Sequence, residues 1–345
     1  MRMKPFVSVP ARAVLALMVV VSILSLSAQA AVSSSLQDNG KPKISPDEAK
    51  AVAAINSAAD APAKLTAAES FVKKYPKSPA RLGIANFVAG QIAQVTDAAQ
   101  RLSLAEKFQK IFTEAEELNV IRQVILDAYV DANRVDDAFN LASTMLGTQP
   151  EDLRVLVEMT RTGTEAAKRQ NAKYLAKSQQ YGLKAIELIE ANKKPANMDD
   201  AAWGKLKMVL PQLYQQVGML LLFSGNSAEG KTRLEKAAAL DPNDPVNYAL
   251  IASLLDEKYQ VMAQTYQQMP ASQQKDDMLK RINEQMDKTI DAYAHAVGLA
   301  TGRPEYQELL NQALQSLSPY YKYRHNQSIE GLQPLIDKYK MPAKP

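Results

Sequence analysis

Cysteine is absent from all 345 residues, and histidine occurs only at His295 and His325. The first absence excludes a disulfide framework, a thiolate metal site, a cysteine nucleophile and a lipid anchor on cysteine. The second leaves too few imidazoles for a multi-histidine metal centre. Glycine (13) and proline (18) are sparse too. Together they make about 9% of the chain against an average near 12%, which excludes a collagenous, low-complexity or turn-dense all-β chain. Excess charge is also lacking. The formal +4 includes Arg2, Lys4 and Arg12, with no acid in residues 1–30, so residues 31–345 carry only +1. Without a dense basic face to displace counterions there is no electrostatic case for nucleic acid.

What is present begins with an address. After the basic opening, Ala13 to Leu26 runs almost wholly apolar, and Ala28-Gln29-Ala30 places small residues two apart. This is the three-part plan of a secretory signal peptide over 1–30, with cleavage expected after Ala30. The apolar run has 14 residues, whereas a membrane-spanning helix needs ~20; an uncleaved anchor is the alternative reading. The expected location is therefore periplasmic or secreted, with no integral membrane segment after cleavage. Residues 31–44 carry Ser, Gly and Pro without periodicity and read as a flexible lead.

Order is expected from Ser45 onward. Ser45-Pro46-Asp47-Glu48 supplies an N-cap serine, a proline at the first helical position and a glutamate three after the cap. Beyond it the apolar residues follow helical period, with almost no strand alternation. Leu102, Ala105, Phe108, Ile111 and Phe112 are one sample; Ile329, Leu332, Leu335, Ile336 and Tyr339 are another, in a final helix expected over 327–340. Breaks fall at Tyr75-Pro76, Thr148-Gln149-Pro150, Lys194-Pro195, Gly225-Asn226, Asp241 to Pro245 and Gly302-Arg303-Pro304. The fold class is all-α, an α-solenoid of antiparallel helix pairs.

The break spacing suggests a repeat of 30–40 residues. Its clearest unit runs over 211–244. Tyr214, Val217, Gly218 and Leu221 lie on a first helix, Gly230, Leu234 and Ala237 on a second, and Pro242 follows. Small residues at Gly218 and Gly230 would let the two backbones approach. Tyr248, Ile251, Ala252 and Leu255 repeat the first-helix positions 34 residues on. Ile125, Tyr129, Ala138, Ala142 and Pro150 occupy equivalent positions across both helices and the terminating proline of an earlier unit, and residues 68–76 read as the second helix of an N-terminal one. Between Pro150 and Pro242 the middle unit is enlarged. A Gln- and Met-rich insertion, Gln260 to Lys275, reads as a polar helix extension and loop. This pattern resembles the tetratricopeptide repeat (TPR) family, in the form common among exported bacterial proteins, and makes 45–345 a TPR-like repeat domain.

The resemblance implies a groove lined by the first helix of each repeat. Carried over, its positions are Gln212, Gln215, Met219, Leu222 and Phe223, then Val246, Ala249, Ser253, Asp256 and Glu257. Peptide-binding members grip a terminal carboxylate with Lys and Asn; Gln215 and Met219 stand in those places, so that clamp is not supported. Leu222 and Phe223 could equally pack on a neighbouring helix. A second candidate is the aromatic and cationic run Tyr320, Tyr321, Lys322, Tyr323, Arg324 and His325, residue types suited to recognition. An inter-helix corner would use them as well.

Candidate chemistry is thin. His295 has Asp291 four residues earlier, a pair capable of acid–base work, but no nucleophile accompanies it. The Ser-x-x-Lys spacings at Ser70 and Ser272 lack companion motifs. Trp203 follows Asp199 and Asp200 at a helix start. No phosphate loop, calcium loop or zinc spacing occurs, and no catalytic residue, cofactor or metal is expected. The expectation is a non-enzymatic adaptor of the bacterial cell envelope that binds a protein or peptide partner, itself an envelope protein. The rival readings are a cell-wall glycan-acting enzyme, which needs paired carboxylates ~5–9 Å apart, and a protein binding a glycan or small molecule near Trp203 or Phe223.

Overall fold

The computed structural model describes residues 44–196 and 198–342. The leader expected at 1–30, and the lead up to residue 43, lie outside them. The described residues form fifteen α-helices, one 3-10 turn and no strand. They divide into two compact units, with the boundary between Val155 and Leu156. No described helix is long and apolar enough to cross a membrane.

The first unit comprises α1 (Pro46–Ser57), α2 (Ala61–Lys74), α3 (Arg81–Ala93), α4 (Ala98–Ile111), α5 (Ala115–Asp131) and α6 (Val135–Thr148). Its opening is the expected capping box. The Ser45 amide donates to Glu48 Oε2 at 2.8 Å, and the Glu48 amide to Ser45 Oγ at 3.3 Å. Such a cap is worth ~1 kcal/mol. Each helix packs on its successor, while α2 also meets α4 and α3 also meets α5. That two-layer alternation is the stacking of helix pairs in an α-solenoid. Phe71, Ile92, Phe108, Phe112 and Ile121 are buried in one core. Each large side chain so buried stabilises the fold by about 1.5–3 kcal/mol.

A buried ion pair crosses this unit. Arg81, at the start of α3, grips both oxygens of Glu117 on α5 at 2.8 Å. Its third nitrogen donates to the Pro76 carbonyl at 2.8 Å. Burial alone would raise the Glu117 carboxyl, but the Arg81 guanidinium and the Glu114 amide hold it below its ordinary value.

The second unit runs from residue 156, early in α7 (Leu153–Lys168), through α8 (Leu175–Glu190) and the short α9 (Asp200–Lys207). It continues with α10 (Leu210–Phe223), α11 (Ser227–Leu240), α12 (Pro245–Gln268), α13 (Gln273–Ala300), α14 (Gln307–Arg324) and α15 (Leu332–Asp337). The enlargement between Pro150 and Pro242 is α9 with the links around it. There the Trp203 indole is buried and donates to Asn192 Oδ1 at 3.0 Å.

From α10 onward each helix packs on its successor as far as α14, with α12 also meeting α14 and α13 meeting α15. The α10–α11 crossing uses the two small residues the spacing singled out. A Cβ built on Gly218 would stand 2.9 Å from Leu234 Cγ and 3.2 Å from the Gly230 carbonyl oxygen. One on Gly230 would stand 3.1 Å from the Gly218 carbonyl oxygen.

The insertion at 260–275 lengthens both helices of the next pair. Helices α12 and α13 have 24 and 28 residues, against 14 in each of α10 and α11. They are joined by a four-residue link, Met269 to Ser272, whose last member caps α13. The final helix is shorter than its period suggested. Asn326 and Gln327 hold φ of 53° and 69°, left-handed values that a helix does not continue through. The helix α15 therefore begins only at Leu332.

Candidate functional site

Helices α10, α12 and α14 form one layer of the second unit, and most of the candidate binding residues lie on them. Polar side chains stitch this layer together. From α10, Gln215 donates to Asp244 Oδ2 at 2.6 Å and to Asn247 Oδ1 at 3.0 Å, at the start of α12. Asp244 also caps α12, accepting from the Val246 amide at 2.9 Å. Burial pushes the Asp244 carboxyl above its ordinary value despite those two donors.

Farther along α12, Asp256 is the centre of a second network. It accepts from the Tyr320 hydroxyl on α14, from Gln260 Nε2 at 3.2 Å and from the Tyr293 hydroxyl at 3.5 Å on α13. Gln260 in turn reaches the Tyr320 hydroxyl at 2.5 Å. The Tyr259 ring meets the Tyr320 ring edge-on, with centroids 5.2 Å apart. Burial is the main reason the Tyr293 and Tyr320 phenols are raised, and the neighbouring carboxylate adds to it. Both hydroxyls therefore remain protonated donors to Asp256 at neutral pH.

The candidates thus fall into three groups. Met219 is only 6% exposed and lies in a core with Leu234, Val246, Leu250 and Leu309. Tyr321 is also buried; its hydroxyl donates to the Glu330 carbonyl at 2.8 Å and its ring stacks on His325. A second group is engaged inside the layer: Gln215, Asp256 and Tyr320 as described, and Ser253, whose hydroxyl donates to the Leu250 carbonyl at 2.8 Å. Arg324 is held by Asp287 of α13 through two contacts of 2.7 and 3.1 Å. The third group keeps apolar surface at the exterior. Leu222 and Phe223 are half-buried against the same core as Met219, and Tyr323 is 46% exposed.

Periodicity did not reveal a ring stack around His295. Its imidazole lies between Tyr248 of α12, 3.6 Å away centroid to centroid, and Tyr339 beyond α15, 4.1 Å away. The partners are 47 and 44 residues distant in sequence, beyond the reach of any local pattern. Asp291, four residues before His295, accepts from the Tyr339 hydroxyl at 2.5 Å. Among the described residues no group of three or more His, Asp or Glu side chains is placed to hold a metal ion. Comparison with protein-family models and with curated proteins finds no match for this chain.

Proposed function

We propose that this chain is an exported, TPR-like adaptor of the bacterial cell envelope, without catalytic activity, that holds a peptide or partner-protein segment across the layer of α10, α12 and α14. One observation carries the reading. First helices of successive pairs lie side by side, and their polar side chains are spent on holding one another (Gln215 to Asp244, Tyr320 to Asp256). Such a layer is pre-ordered, which limits the entropy lost when a partner settles on it. Phe223 and Tyr323 then supply apolar anchors at its surface, while the end of the Leu222 side chain turns toward Gly230 of α11. Asp244 and Asp256 on the layer are consumed as acceptors of internal hydrogen bonds, which favours recognition over hydrolysis.

The test uses the full chain expressed in a bacterial host, with N-terminal sequencing of the product from each cell fraction. A periplasmic product beginning at Ala31 is expected; an intact cytoplasmic chain would overturn export. The purified protein is then cross-linked to envelope extract beside a Phe223→Ala/Tyr323→Ala variant whose circular dichroism matches the parent. A protein captured by the parent and lost with the variant supports the adaptor. Equal capture by both removes these anchors, and no capture by either counts against an adaptor.

A further inference from the structure

The C-terminal segment is attached to the rest of its unit by few and unusual contacts. Of residues 331–342 only Ile336 is buried, with Leu332, Leu335 and Tyr339 partly so. The segment leaves α14 through a turn in which Asn326, Gln327 and Gly331 hold φ of 53°, 69° and 85°. Two of these are non-glycine residues in the left-handed region, a conformation with a steric cost. Gly298 of α13 makes the close approach possible. A Cβ there would stand 2.6 Å from the Ile336 carbonyl oxygen and 2.9 Å from the Tyr339 carbonyl carbon. Both are backbone atoms that cannot swing aside. The segment ends on the ring stack, where Tyr339 covers one face of His295 and Tyr248 the other.

We propose that residues 331–341 form a strap that is latched on α13 through neutral His295 and released when that imidazole is protonated. The groups that face His295 fix the direction. Asp291, one turn earlier on α13, favours the cation, but it is solvent-exposed and already accepts from the Tyr339 hydroxyl. Lys338 of the strap, which donates to the same hydroxyl at 2.9 Å, opposes a second positive charge. Tyr248 and Tyr339 carry no charge at neutral pH, and Asp241 lies beyond Tyr248. Burial is the largest influence and, with Lys338, pushes the imidazole below its ordinary value despite Asp291.

Undocking restores the imidazole to water, where it titrates near 6.5. The docked strap therefore has its full stability above that pH and loses it as pH falls through the lowered midpoint. Release would uncover Ile336 and the α13 surface around Gly298. The inference is independent of the adaptor reading.

Two measurements on the full chain test it. Only two histidines are present, so selective 13C labelling of histidine Cε1 gives two signals to follow with pH. Hydrogen exchange over 327–342, corrected for the intrinsic pH dependence, reports strap docking. Protection is expected to fall between pH 7.5 and 5, by a factor of about ten for each whole pH unit separating docked and undocked midpoints. In Tyr339→Ala the His295 midpoint should rise. In His295→Phe, which keeps a ring without a proton site, protection should be independent of pH. Constant protection in the parent, tighter docking in acid, or an unmoved His295 midpoint in Tyr339→Ala would each overturn the proposal. The parent and Tyr339→Ala titrations decide it even if His295→Phe fails to seat the strap.

Discussion

Gly83 and Gly90 sit within α3 of the first unit, exposed, with nothing within 4 Å of where a Cβ would stand. Gly218 and Gly230 of the second unit face one another across α10 and α11, with backbone oxygens 3.1–3.2 Å from the added atoms. The polar links differ likewise. In the first unit they are charged: Arg81 with Glu117, and Arg101 with Asp131. In the α10–α14 layer they run from neutral donors to single carboxylates, Gln215 to Asp244 and Tyr320 to Asp256. The first unit spans its helices with long cationic side chains. The second brings two of its helices to backbone contact, joins α10, α12 and α14 with amides and phenols, and keeps a cationic link, Arg324 to Asp287, between α14 and α13.

The comparison breaks most visibly at Arg81. Replacing Arg81 with Met leaves Glu117, a side chain 3% exposed, as a buried charge without its partner, a change that costs about 3–5 kcal/mol. Hydrogen exchange over α3 and α5 should report this loss. Arg81→Met together with Glu117→Leu removes both charges and should recover most of it. A double variant no more stable than the single one would show that the charge is not what the site compensates.

In the second unit the matching disruption is steric. Gly218→Val places branched carbon against Leu234 and the Gly230 carbonyl, and overpacking of this kind costs about 1–3 kcal/mol. Gly230→Ala should lie at the low end of that range. Its nearest contact, 2.6 Å, is the far end of the Leu222 side chain, which can turn away. Trp203 is the only tryptophan and lies in this unit, so its fluorescence during urea unfolding reads both variants.

Acid sharpens the contrast through its sign. Glu117 is held below its ordinary 4.5, so its stabilisation is complete above that value and is lost as pH falls through the lowered one. Asp244 is raised above 3.8 by burial. Its ionisation costs the folded state, so this cost disappears as pH falls through the raised value. Glu117→Gln should therefore flatten an acid-side loss in the first unit below about pH 4.5. Asp244→Asn should remove an acid-side gain in the second. Parallel pH profiles in the two variants would erase the distinction.

Much of the architecture was legible because its cause is local. Ser45 with Glu48, and Asp244 before Pro245, announce helix starts by side chains that satisfy backbone within three residues. Gly218 and Gly230 were legible because repeat spacing puts small residues where helices cross. The candidate face was less so. Repeat position placed Met219 on a groove, but it shares a buried core with Ala296, Ala300 and Leu309, which lie 77 to 90 residues onward. Tyr320 looked like half of a recognition cluster. Its hydroxyl instead closes on Asp256, 64 residues earlier. Long-range pairings of single side chains leave no period behind.

The smallest expected effect is the most discriminating between the units. At Gly83 and Gly90 the helix is already formed, the side-chain direction is exposed and no neighbour is displaced. Alanine there adds nothing to the core. It removes conformational freedom from the unfolded chain, which favours the helix by about 0.5–1 kcal/mol per site. Gly83→Ala and Gly90→Ala should each stabilise the first unit, and the two should nearly add, since they lie seven residues apart. Gly230→Ala, the same chemical change, should destabilise the second. Urea midpoints for the three variants, with hydrogen exchange assigning each to its unit, measure the difference. If all three shift in one direction, helix propensity alone governs glycine in this fold, and the close crossing of α10 and α11 carries no energetic weight.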